Sequence, residues 1–108
     1  MEKSEVLRRE REKLDEIFAD VDPSKKKLVE GLLDDAAFLR AEQMALRRTL
    51  DITGMVKIHP TKPTLQQPVE AARQYLKNAN SYAVIIKTLN SVLSKNTNDD
   101  LDDMSEYE

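Results

Sequence analysis

Cysteine and tryptophan are absent from this 108-residue chain, histidine occurs once, and glycine and phenylalanine twice each. Without cysteine there is neither a disulfide framework nor a thiolate metal site, and the redox compartment is left open. A lone His59 cannot assemble a histidine metal cluster. It precedes Pro60 with no nucleophile or carboxylate at a useful spacing, and reads as a loop histidine without a catalytic role. Two glycines cannot supply a phosphate-cradling loop, and no Ser/His/Asp or Cys/His set can be drawn from the remaining residues. Catalysis is therefore not expected, and no cofactor is called for. No apolar run approaches the ~18 residues of a membrane span, and the charged N-terminus lacks the apolar core of a signal peptide. A cytoplasmic protein without membrane contact is expected.

What is present is helical periodicity. From Pro23 to Ile52 the chain has no internal proline and a single glycine, Gly31. Val29, Leu32, Ala36, Leu39, Gln43, Leu46 and Leu50 step alternately by three and four residues, a heptad seam that strands of period two cannot produce. The pattern predicts a helix of roughly 45 Å at about 1.5 Å per residue, long enough to need a partner of similar length. Asp22 is placed to cap it with Pro23 at the first helical position, and Gly54 to close it in a left-handed conformation. Gln43, the polar member of the seam, is read either as a paired or partly exposed amide or as a determinant of register and oligomer state.

A second seam of equal length follows: Ala72, Tyr75, Ala79, Tyr82, Ile86, Leu89 and Leu93. Its helix is expected from Leu65 or Pro68 to Leu93 or Ser94, opened by a Thr64/Gln67 capping box or by Gln67 with Pro68 behind it. Val69, Leu76, Ala83 and Ile85 widen its apolar face beyond what one partner covers, so self-assembly is expected. Between the helices, residues 54–66 hold Pro60, Pro63 and the alternating Val56 and Ile58, an extended linker able to pair as a short strand.

The flanks are charged. A helix is predicted over Ser4–Asp20, capped by Ser4, with Leu7, Leu14, Ile17, Phe18 and Val21 as a thin apolar stripe. Arg8, Arg9, Arg11 and Lys13 on its other faces are candidates for phosphate contact, or surface charges diluted by glutamate. Lys25, Lys26 and Lys27 stand in the first turn of the long helix, where the dipole disfavours cations; a phosphate would offset the cost, as would solvent, Asp22 or Glu30. Residues 96–108 hold six acids and no base. This segment is read as a flexible tail, either solvating or ordering on a partner through Leu101, Met104 and Tyr107. The expected architecture is all-α: a charged N-terminal helix over 1–22, an antiparallel helical hairpin over 23–95 that oligomerises, and the acidic tail.

The order of features resembles a known family. Gly54-Met55-Val56 leads to His59-Pro60, Gln67-Pro68-Val69-Glu70-Ala71-Ala72 opens the second long helix, and Tyr75-Leu76-Lys77 follows. Over roughly residues 14 to 95 this resembles the small subunit of tailed-bacteriophage terminases, in a compact class without a separate helix-turn-helix domain. The resemblance implies a non-catalytic DNA-packaging component, in a ring of about eight to eleven copies. It also implies binding to double-stranded viral DNA, regulation of the large terminase subunit, and action in the cytoplasm of an infected bacterial host. Only some twenty residues precede the long helix, so the family's usual DNA-reading residues have no counterpart here. DNA contact would then fall to Arg8, Arg9, Arg11, Lys13 and Lys25 to Lys27, and large-subunit contact to Leu101, Met104 and Tyr107. Leu32, Leu39, Gln43, Leu46, Tyr75, Tyr82, Ile86 and Leu89 would form the core and oligomer seam. The competing reading is a dimeric or tetrameric helical-hairpin adaptor that binds no nucleic acid. An antitoxin-like dimer would need a recognition helix that the pattern does not offer.

Overall fold

The computed structural model describes the backbone of residues 2–105 and the side chains of residues 2–95. Three helices, α1 (Lys3–Ile17), α2 (Pro23–Thr53) and α3 (Glu70–Ser105), are joined by a turn and by a two-stranded ribbon, β1 (Val56–Ile58) and β2 (Gln66–Pro68). The two long helices pair as their seams predict, and α1 packs along α2 as far as Glu42, about two-thirds of its length. The sheet is the departure from an all-α fold.

α2 begins as its sequence dictates. The Asp22 side chain accepts a hydrogen bond from the Ser24 amide at 2.8 Å, and Pro23 occupies the first turn. At the other end the Gly54 amide donates to the Leu50 carbonyl at 2.8 Å. Gly54 has φ 74° and ψ 172°, so it uses the positive φ expected of it. Its ψ is extended rather than left-handed helical, which sends the chain straight into β1 instead of curling it back.

Every member of the α2 seam is buried or half-buried, but Leu33, Ala37 and Ala41 are buried as well. A helix held between two neighbours needs a wider apolar face than one lying in a simple hairpin, and the small alanines let a neighbour approach closely. The main core forms where all three helices meet. Leu14, Phe18 and Val21 from the first segment, Val29, Leu33 and Ala36 from α2, and Leu89 from α3 form one cluster. Gln43 is buried too, its Oε1 accepting from Arg40 Nη1 at 3.2 Å, which is the paired-amide reading.

α1 differs from expectation at both ends and in its face. Glu2, not Ser4, is the N-cap, with no side-chain bond, and the helix stops at Ile17 before a tight turn through Val21. Its buried line is Val6, Glu10, Leu14 and then Phe18, whereas Leu7 and Ile17, assigned to the stripe, are 39% and 49% exposed. Steps of four follow one inclined ridge of side chains on the helix, and a heptad seam does not describe that contact.

The connection is an antiparallel ribbon in the register Val56↔Pro68, Lys57↔Gln67 and Ile58↔Gln66. Pairing continues outside it, from the His59 amide to the Leu65 carbonyl at 3.0 Å and from the Val69 amide to the Met55 carbonyl at 2.9 Å. Because β2 takes Gln66 to Pro68, the expected Thr64/Gln67 capping box is not formed and Pro68 does not open the helix. Proline is tolerated there because neither strand has a further neighbour to receive its missing amide. The Val69 carbonyl instead accepts from the Ala72 and Arg73 amides at 2.9 and 3.3 Å as α3 begins. The α3 seam is covered as predicted, with Ala72 and Leu89 buried and Tyr75, Ala79, Tyr82, Ile86 and Leu93 half-buried. Its backbone stays helical to Ser105, past the end expected at Leu93 or Ser94. No glycine or proline interrupts 94–105, so nothing in that stretch forces a stop.

Candidate nucleic-acid and partner surfaces

The cations of α1 point into different situations. Arg11 reaches across to α2: its Nε donates to Asp15 Oδ1 at 3.1 Å, Nη2 lies 3.9 Å from Glu30 Oε1, and Nη1 pairs with Asp34. Its charge is neutralised within the fold, so it staples two helices instead of facing a ligand. Lys13 Nζ sits 2.9 Å from Glu10 Oε1, and Arg8 pairs with Glu12 at 3.2 Å on the open surface. Arg9 is exposed and borders a shallow groove with Val6, Glu10, Lys13, Arg40 and Met44. Lys3 adds a further α1–α2 bridge to Glu42 at 2.9 Å. Along α2, Lys25 and Lys26 are half-buried and Lys27 is exposed. Lys25 borders a second, apolar groove with Leu28, Val29, Val92 and Lys95. The seven cations assigned to DNA contact thus form no single free basic face.

Glu10 is a residue that the pattern placed on a solvent face. It is 8% exposed, because it stands on the same i, i+4 line as the buried Val6, Leu14 and Phe18. Its Oε1 accepts a hydrogen bond from the Tyr82 hydroxyl at 3.1 Å, which ties α1 to α3 across 72 positions of sequence. Burial holds the Tyr82 phenol above its ordinary pKa; the Glu10 charge and hydrogen bond act in the same direction, and Arg40 opposes them. One turn earlier on α3, Asn78 has a buried Oδ1 that finds no partner among the described residues.

Leu101 and Met104 lie on the helical backbone of α3, but their side chains, and all of Tyr107, lie outside the described residues.

The largest surplus of basic over acidic residues lies around the ribbon. Between positions 47 and 77 stand six basic residues against only Asp51 and Glu70, a surplus of four. A charge count over a window centred on the ribbon finds that surplus in the sequence alone. Between them every residue from Gly54 to Pro68 is exposed, including Met55, Val56, Ile58 and Leu65. A cleft on the ribbon is lined by Lys57, Ile58, His59, Pro60, Leu65, Gln66 and Gln67. The His59 ring is fixed within it, its Nδ1 accepting from the Thr61 and Lys62 amides at 3.2 and 3.1 Å. Since Nδ1 is the acceptor, the hydrogen of the neutral ring sits on Nε2.

Among the described residues no group of three or more His, Asp or Glu could hold a metal ion, and no helix is long and apolar enough to cross a membrane. Comparison with known proteins gives no matching family, no similar curated protein and no similar solved structure.

Proposed function

We propose that this chain is a non-catalytic, self-assembling DNA-packaging component of the terminase small-subunit type, which binds double-stranded viral DNA and regulates a large terminase subunit in the infected bacterial cytoplasm. The observation that carries the self-assembly is the shape. The molecule measures 73 × 29 × 17 Å with a radius of gyration of 19.5 Å, against about 13 Å for a compact chain of this length. So extended a body cannot close around its own apolar residues. Leu28 and Phe38 on α2 and Leu76 and Val84 on α3 face outward, Val84 at 65% exposure. Copies placed side by side in a ring would cover exposed apolar side chains of this kind on every subunit with one repeated, heterologous contact. The packaging role is supported by the order of features from Gly54-Met55-Val56 through Tyr75-Leu76-Lys77. On this reading Leu101, Met104 and Tyr107 are anchors for the large subunit.

The test is the absolute mass of the purified chain by native mass spectrometry or light scattering. A single closed species of about eight to eleven subunits is expected. A dimer or tetramer that persists across concentration would sink the ring and favour a helical adaptor.

A further inference from the structure

The exposed β1–β2 ribbon is the least economical part of the fold. A two-stranded ribbon is marginal in water unless a third strand, a helix or a ligand covers it. Here every residue from Gly54 to Pro68 remains exposed. Charge gives the ribbon a direction. Among the described residues Arg47, Lys57, Lys62, Arg73 and Lys77 make no ion pair, while all the ion pairs described above fall between Lys3 and Glu42. The ribbon end therefore carries a concentrated positive field on a chain whose net charge is −3.

We propose that this ribbon is the element that contacts duplex DNA, by entering the major groove. Two strands about 4.8 Å apart fit a groove about 12 Å wide, which admits a β-ribbon as readily as a helix. Lys57 and Gln67 are directly paired across the strands, so their side chains share one face. His59, the residue that follows β1, lines the same cleft as Lys57 and Gln67 with its Nε2 hydrogen available to donate. Lysine and glutamine are side-chain types that hydrogen-bond base edges, and Lys62 at the turn with Arg73 and Lys77 on the first turns of α3 are set back to meet phosphates. The inference rests on the DNA-binding reading above and moves the contact from α1 to the ribbon.

The experiment is fluorescence anisotropy of the full chain with a mixed-sequence duplex oligonucleotide, titrated over salt. Three double variants accompany the wild type: Lys57→Gln with Lys62→Gln, Arg8→Gln with Arg9→Gln, and Lys87→Gln with Lys95→Gln as a charge-matched control. Circular dichroism reports on the fold, and the ribbon substitutions remove no buried contact. The ribbon variant is expected to bind roughly tenfold more weakly at low salt and to lower the salt slope by about two, while the charge-matched control is unchanged. A ribbon variant that binds like wild type, or a loss found instead in the α1 variant, overturns the assignment and leaves the DNA reading standing. A wild type with no salt-dependent DNA binding removes that reading and the ribbon's role with it. Retained DNA binding, with loss only of binding to anionic phospholipid vesicles, also overturns it in favour of a membrane surface.

Discussion

The Tyr82 hydroxyl donates to Glu10 Oε1 at 3.1 Å, and this bond joins the first helix to the last over a core in which α2 is the middle layer. A buried carboxylate is tolerated only when it is paired, and Lys13 at 2.9 Å and Tyr82 share that task. Replacing Tyr82 by phenylalanine leaves the ring packing and removes the donor. The expected loss is about 1 kcal/mol, the net worth of a hydrogen bond to a charged group at a half-exposed site. Chemical denaturation of wild type and variant measures it.

The same bond sets an alkaline limit. The folded-state pKa of Tyr82 is raised, so the protonated phenol is favoured in the native chain. Its contribution is complete below about 10, the unfolded value, and is lost as pH rises through the higher folded value. Wild-type stability should therefore fall more steeply above that point than that of Tyr82→Phe. Equal slopes in denaturation curves collected across the alkaline range would exclude the linkage.

Arg11 tests whether α1 is structural. With Asp15, Glu30 and Asp34 around it, Arg11→Gln should lower the unfolding free energy by about 1 kcal/mol while leaving DNA affinity unchanged. Thermal unfolding and anisotropy on the same preparation separate the two effects.

The two glycines should respond in opposite directions. Gly31 lies within α2 and an added methyl group there meets nothing within 4 Å. Gly31→Ala should stabilise by about 0.5–1 kcal/mol through helix propensity and a less free unfolded chain. Gly54 has equally open surroundings but φ +74°, so Gly54→Ala should destabilise by about 1 kcal/mol from backbone strain alone. Melting temperatures should move up for the first and down for the second.

Leu33 and Val84 contrast a fully buried apolar side chain with an exposed one. Leu33 is fully buried in the three-helix core, and Leu33→Ala should cost about 2–5 kcal/mol. Val84→Glu should alter helix content little, since the side chain meets solvent. If copies of the chain cover that face, the variant should shift the mass in solution toward the monomer. An unchanged mass would place the self-assembly surface elsewhere.

Local rules in the sequence determined much of the backbone. Asp22-Pro23 starts α2 and Gly54 ends it because cap chemistry and proline geometry act within a few residues. The seams from Val29 to Leu50 and from Ala72 to Leu93 are covered where the heptad pattern puts them, since that pattern states which face must leave water. Neighbouring elements decided the rest. Leu7 and Ile17 lost their places to Val6 and Glu10 because the ridge that a helix buries depends on the neighbour it packs against and is not written in the helix alone. Gln66 to Pro68 became a strand because β1 offered a pairing register, a nonlocal gain that outweighed the local signal for an early helix start. Lys3 and Arg11 were drawn into ion pairs with Glu42, Glu30 and Asp34, 19 to 39 positions away, whereas the cations from Arg47 to Lys77 were gathered toward one end by the antiparallel pairing of α2 and α3. Sequence spacing carries the identity of a charge, but its electrostatic effect depends on what folding brings within a few ångströms of it.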